Sequence, residues 1–173
     1  MVRSDATAET VDLGPVHEPK EESIKVFKDI EHELKKELLH TRREYQSKNP
    51  AFVGRNLQVH QLMPNPVPEH EREYFQAVEE LDDDQLAGFS SKDLVAVRVA
   101  VSAYGVHLFG KIRIPAMSDS GPAYIHFRAF DVPGGDEPAK LHSIHTEEKE
   151  HSDGDKTYRA IFTKNDPLEW FDT

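Results

Sequence analysis

Hydrophobic and polar residues alternate along the second half of the chain, which is the pattern of half-buried β-strands. The alternation runs over residues 95–103, stops at Gly105 and resumes over residues 106–114. Two such runs around one glycine predict a β-hairpin, in which Gly105 permits the positive φ of a tight turn. Together with further strands predicted over residues 124–130, 141–146 and 157–163, they form an antiparallel sheet of four to five strands.

Two earlier segments have the three- and four-residue spacing of amphipathic helices. The first is predicted over residues 23–48, and the second follows Pro68. Their apolar positions are Phe27, Ile30, Leu34 and Leu38 in the first helix and Tyr74, Phe75, Val78 and Leu81 in the second. We expect the second helix to pack across one face of the sheet, giving an α+β fold with an extra N-terminal helix. The stripe of the first helix fits either the protein's own core or another chain, and we favour docking on a partner protein.

Four further segments complete the domain organisation. Residues 1–22 are acidic and lack aromatic side chains, so a disordered tail is predicted there. Residues 49–66 are expected to form an extended, proline-containing connector, and residues 67–163 the compact domain. Residues 164–173 form an aromatic tail, in which Trp170 and Phe171 either fold back onto the sheet or dock on a partner.

Composition narrows the classes of function. The net charge of −11 opposes contact with a phosphate backbone, so no nucleic-acid partner is expected. The chain has no cysteine, which excludes disulfides, thiolate metal ligands and cysteine-based catalysis. No apolar run has the length of a signal-sequence core or a membrane span, so we expect a cytoplasmic or other intracellular protein that is neither secreted nor membrane-bound. Catalytic, phosphate-loop and metal-ligand motifs do not occur, and a non-enzymatic protein without a cofactor or metal is predicted.

The predicted strand over residues 124–130, Tyr-Ile-His-Phe-Arg-Ala-Phe, leads into the turn Val132-Pro133-Gly134-Gly135 and a further strand that ends at Thr146. This order of residues resembles the type 1 cystatins, or stefins. The resemblance implies a cystatin-like fold, with one helix packed on a four- to five-stranded antiparallel sheet. It also implies reversible inhibition of papain-like cysteine proteases, whose cleft a stefin plugs with an N-terminal trunk and two hairpin loops.

The resemblance also assigns contact residues. The implied protease contacts are Val101, Ser102, Ala103, Tyr104, Gly105, Val132, Pro133 and Gly134, and the implied trunk is Met63, Pro64 and Asn65. The first hairpin keeps only the glycine of the stefin sequence Gln-Val-Val-Ala-Gly, and a predicted helix precedes the trunk. These departures favour an alternative, a non-inhibitory structural or interaction subunit of a larger protein assembly. Such a subunit would dock through the N-terminal helix and both tails, with Phe27, Ile30, Leu34, Leu38, Trp170 and Phe171 as its contacts.

Overall fold

A computed structural model describes residues 13–47, 74–154 and 156–172 of the chain. One long helix and six strands form its main elements. They are α1 (Glu21–Ser47), β1 (Leu94–Ser102), β2 (Gly105–Arg113), β3 (Tyr124–Asp131), β4 (Lys140–Ile144), β5 (Glu147–Glu150) and β6 (Lys156–Arg159). Between α1 and β1 lie a 3-10 turn at Gln76–Val78, the one-turn helix α2 (Asp83–Leu86) and a second 3-10 turn at Ser91–Asp93. The fold is α+β, as predicted.

The main sheet is a four-stranded antiparallel meander in the order β1-β2-β3-β4. Phe127 of β3 lies near its centre, where it pairs with Gly110 of β2 on one side and with Ile144 of β4 on the other. The fifth strand, predicted over residues 157–163, joins this sheet only through Phe162, which forms an isolated antiparallel bridge with Tyr124 of β3. Residues of β5 and β6 pair with each other in a separate two-stranded sheet instead, because the polar run after Ile144 offers no apolar face to bury against the helix.

Helix α1 covers one face of the main sheet. Its apolar stripe is fully buried, with Phe27, Ile30, Leu34 and Leu38 all at most 1% exposed. The Phe27 ring lies 5.9 Å from that of Phe127 and 6.4 Å from that of Phe89. The prediction that this stripe docks on another chain is wrong, because the stripe packs against the apolar face of the protein's own sheet. In the described part of the chain, no helix combines the length and apolar composition of a transmembrane span.

The segment predicted as the sheet-covering helix has a different structure where it is described. Residues 74–81 form turns around the 3-10 segment, and α2 begins after Asp82. A capping box starts α2 at Asp82, whose side chain accepts from the Gln85 amide while the Gln85 side chain accepts from the Asp82 amide. The buried Arg42 of α1 holds this region through the Val78 and Leu81 carbonyls, at 3.2 and 2.6 Å. Helix α1 therefore takes the role expected of the second helix.

Residues before α1 run along the outer edge of β1. Gly14 donates a hydrogen bond to the Val99 carbonyl at 2.8 Å, and His17 exchanges two hydrogen bonds with Val97 at 3.0 and 2.9 Å. The sequence placed residues 13–20 in a disordered tail because they are polar and lack aromatic side chains. Backbone pairing with an open strand edge depends little on side-chain type, so composition does not reveal it. The connector predicted over residues 49–66 lies outside the described residues.

Candidate functional site: the turn end of the sheet

Two reverse turns lie side by side at one end of the main sheet. Strand β1 ends at Ser102 and β2 begins at Gly105, while β3 ends at Asp131 and β4 begins at Lys140. Since neighbouring strands are antiparallel, both connections lie at the same end. We call this the turn end, which consists of Val101, Ser102, Ala103, Tyr104, Gly105, Val132, Pro133, Gly134 and Gly135.

The first turn is closed by side-chain and backbone contacts within four residues. The Ser102 hydroxyl donates to the Gly105 carbonyl at 3.3 Å and accepts from the Tyr104 amide at 3.2 Å. Gly105 has a φ of +153°, which confirms the positive φ predicted for it. A Cβ atom at Gly105 would lie 2.5 Å from the Asp131 carbonyl oxygen and 2.7 Å from the Phe130 ring. The glycine therefore allows both the turn and its close contact with β3.

The second turn has the features of a type II β-turn. The Gly135 amide donates to the Val132 carbonyl at 3.1 Å, and Gly134 has a φ of +79°. Pro133 occupies the second position, where its ring fixes φ, and Gly134 the third, where a positive φ is required. The turn is thus rigid because of its own sequence.

Replacing Gly134 by alanine is expected to lower the free energy of unfolding by about 1 kcal/mol, because an L-residue resists this positive φ. No atom lies within 4 Å of the added Cβ position, so backbone strain is the only source of the loss. Chemical denaturation measures it, with the exposed Asp136→Ala as a control that leaves the stability unchanged. Equal stabilities for Gly134→Ala and the parent protein would contradict the assigned turn type.

Exposed apolar side chains concentrate at the turn end. Among the described residues, five large hydrophobic side chains are exposed, and three of them belong here: Val101 at 70%, Tyr104 at 40% and Val132 at 51%. Beside the second turn lies a depression of about 310 Å³, whose walls include Phe130, Val132 and Pro138. Exposed apolar groups on rigid turns are typical of surfaces that bind another protein.

The structure assembles most of the residues that the stefin resemblance assigns to protease contact. All eight hairpin residues lie at the turn end: Val101, Ser102, Ala103, Tyr104, Gly105, Val132, Pro133 and Gly134. The expected trunk, Met63, Pro64 and Asn65, lies outside the described residues. Leu13 pairs with Ala100 in the antiparallel sense. Since β1 runs towards the turn end, this antiparallel segment runs away from it. Followed backwards from His17 to Leu13, the chain therefore approaches the turn end.

The aromatic tail folds back onto the face of the sheet opposite α1. The Trp170 ring lies 5.1 Å from Phe109 and 4.6 Å from the guanidinium carbon of Arg128. Phe171 is only 6% exposed and makes an edge-to-face contact with Phe109 at 5.2 Å. Of the two predicted alternatives for Trp170 and Phe171, folding back onto the sheet is confirmed, and the docking role is corrected for the buried Phe171. Phe109 gives this second face an apolar centre, and the tail removes it from water.

Four polar side chains on this second face are buried: His107, Lys111, His126 and Arg128 are all at most 5% exposed. Sequence alternation places them on a solvated face and so misses their burial. A signal was present in β3, since the run Tyr-Ile-His-Phe-Arg-Ala-Phe is bulky at nearly every position. Continuous bulk without a small polar residue is the pattern of a strand buried on both faces.

Burial keeps the two histidines neutral. Loss of hydration lowers the pKa of His126 to about 3, with a further contribution from the charge of Lys111. Burial likewise lowers the pKa of His107 to about 4, with the Arg128 guanidinium as the second cause. Within the described residues, no three histidine or carboxylate side chains converge so that they could hold a metal ion. This second face therefore combines an apolar cluster around Phe109 with buried, neutral histidines.

No family model, no curated protein and no solved structure matches the sequence.

Proposed function

We propose that this protein is a cystatin-like, reversible inhibitor of papain-like cysteine proteases that inserts its turn end into the protease cleft. The observation that carries the proposal is the exposure of Val101, Tyr104 and Val132 together at one end of a rigid sheet. Monomeric proteins expose isolated apolar residues, but a group of them on adjacent turns marks a contact surface.

The arrangement of elements supports the cystatin-like part of the proposal. One helix crosses a four-stranded antiparallel meander, and the chain before that helix pairs with the first strand. With α1 in the role of the cystatin helix, the described chain before it corresponds to the N-terminal segment of a cystatin, because Leu13 and His17 pair with Ala100 and Val97 of β1.

Rigidity is the physical basis of tight binding here. Pro133 and Gly134 fix the second turn, and Gly105 holds the first turn against Phe130 and Asp131. Turns that already have their bound shape lose little conformational entropy on association. Val101, Tyr104 and Val132 then contribute apolar burial, and a tyrosine at the centre of an interface is often among its strongest contacts.

The test is an inhibition constant for each of two variants of the turn end, Tyr104→Ala and Val132→Asp, against a papain-like protease. Each is expected to weaken inhibition at least about tenfold, as for an interface hot spot. The matched control is Val95→Asp, since Val95 is 41% exposed but lies about 20 Å from Val101 along β1. Far-UV circular dichroism verifies folding. The assignment would be refuted if the two turn-end variants inhibited as well as the parent protein. It would also be refuted if Val95→Asp weakened inhibition as much as they do.

A second candidate is a non-inhibitory binding subunit that uses the same turn end. It is favoured by the first turn, where Val101-Ser-Ala-Tyr-Gly replaces the stefin sequence and places the bulky Tyr104 at the tip. Docking through the apolar stripe of α1 or through Phe171 does not support this candidate, because the protein's own core buries those side chains. A folded protein that leaves papain-like proteases fully active would favour this second candidate.

A further inference from the structure

The C-terminal segment, residues 164–172, covers the second face of the sheet without belonging to a strand or helix. Side chains of the sheet hold its backbone carbonyls. Lys111 donates to Lys164 and Asp166 at 3.0 and 2.7 Å, Arg98 to Leu168 at 2.9 Å, and Arg128 to Phe171 at 3.1 Å. A segment held by side-chain contacts can open locally without breaking a β-ladder.

Histidines lie directly beneath the aromatic residues of this segment. The His107 ring is 5.8 Å from Trp170 and 5.0 Å from Phe130. The His145 ring stacks on Phe171 at 4.3 Å with an angle of 18°. His126 stacks on Phe162 at 4.3 Å, one layer further along the same face. The aromatic side chains of the segment thus pack on histidines, the residue type whose ordinary pKa lies in the mildly acidic range.

We propose that the C-terminal segment is a strap that detaches from the sheet when His107 and His126 become protonated. Trp170 of the strap covers His107 directly, and Phe171 reaches His126 only through the stacked rings of His145 and Phe162. Opening of the strap gives the His107 imidazole access to water. Protonation and opening are therefore linked events. This inference concerns the second face and stands apart from the proposed binding role of the turn end.

The charges that face each histidine make protonation unfavourable while the strap is closed. His107 Nδ1 lies 3.2 Å from the Arg128 guanidinium, and His142 from β4 adds a second basic group. Asp172 of the strap pairs with Arg128 at 3.1 Å and so offsets part of this charge.

His126 faces Lys111 of β2, His145 and Arg159 of β6, with Asp166 of the strap as an opposing acid. Glu147, Glu148 and Glu169 line the neighbouring cavity of about 290 Å³. Arg159 is already engaged by Glu147 and Asp166, at 2.8 and 2.9 Å. Asp166 and Glu147 are therefore already paired with Arg159, and Lys111 remains as a cation that opposes protonation of His126.

The sign of the pH dependence follows from the lowered pKa values. In the closed state His107 and His126 stay neutral down to about pH 4 and about pH 3. In the open state they regain their ordinary pKa of about 6.5 and bind protons. Opening is thus favoured as the pH falls below about 6.5, and the strap is most firmly closed above that value.

Trp170 is the only tryptophan in the chain, so its emission wavelength reports the strap directly. We expect a reversible red shift between about pH 6 and pH 4, while far-UV circular dichroism of the sheet and α1 stays unchanged. Emission that stays constant down to about pH 4 would overturn the proposal. So would a red shift that coincides with loss of the circular dichroism signal, because that would be global unfolding.

Two variants, His107→Gln and His126→Gln, assign the transition. Each removes one titrating group and keeps a polar side chain, so each is expected to shift the midpoint to lower pH by at least about half a unit. The exposed His32→Gln on α1 is the matched control and should leave the midpoint unchanged. If one variant does not fold at neutral pH, the other still decides. Midpoints equal to that of the parent protein in every folded variant would contradict the role of these histidines.

Discussion

Replacing Phe27 by alanine is expected to lower the free energy of unfolding by about 3–5 kcal/mol, the range for large buried aromatic residues. Phe27 is fully buried, and its ring contacts those of Phe89 and Phe127, at 6.4 and 5.9 Å between ring centres. Truncation would leave a cavity where α1, the strand β3 and the segment before β1 meet. Urea denaturation followed by circular dichroism measures the loss.

The control for this substitution is Lys25→Ala, an exposed position on the same helix. Its stability should differ from that of the parent protein by no more than about 0.5 kcal/mol. If Phe27→Ala were equally mild, α1 would not be part of the core, and its apolar stripe would again be available to another chain.

Replacing Gly110 by alanine is expected to destabilise the protein by about 3 kcal/mol, near the upper end of the range for overpacking. Gly110 lies opposite Phe127 in the sheet, and an added Cβ would come within 2.3 Å of that ring. Phe127 cannot move aside easily, because it is fully buried and packs on Phe27. The midpoint and slope of the denaturation curve together give the change.

Gly121→Ala is the matched control, since an added Cβ there meets no atom within 4 Å. This variant should keep the stability of the parent protein or gain slightly, because alanine restricts the unfolded chain more than glycine does. A loss of the same size at both positions would show that general backbone effects of glycine, and not the contact with Phe127, determine stability.

The sheet could be predicted from the sequence because a two-residue period and a turn glycine specify strands locally. The run around Gly105 and the strand that starts at Tyr124 both lie where the alternation placed them. The helix that covers the sheet could not be chosen in this way. Both candidate helices have an apolar stripe, and periodicity does not specify which surface a stripe contacts.

The candidate site, like the fold, could be predicted only in part from the sequence. The two turns follow from local chemistry, since Pro133, Gly134 and Gly105 satisfy backbone requirements within a few residues. Burial of His107 and Arg128 could not be predicted, because it depends on the C-terminal segment, which lies 43 residues beyond Arg128 at Phe171 and folds back over both side chains. Alternation distinguishes the two faces of a strand, but it does not show whether both faces are covered.

The helix and the aromatic tail bury their apolar side chains within the protein, so the turn end remains as the main exposed apolar surface among the described residues. This end is therefore the surface through which the protein is proposed to act.

The most direct test is to titrate a fixed amount of an active papain-like protease with the 173-residue chain and to measure hydrolysis of a fluorogenic peptide. We predict that residual activity falls in proportion to the protein added and returns on dilution, with the chain intact. A stefin serves as the positive control. Unchanged protease activity at a stoichiometric excess, or cleavage of the chain at its turns, would contradict the proposed inhibition.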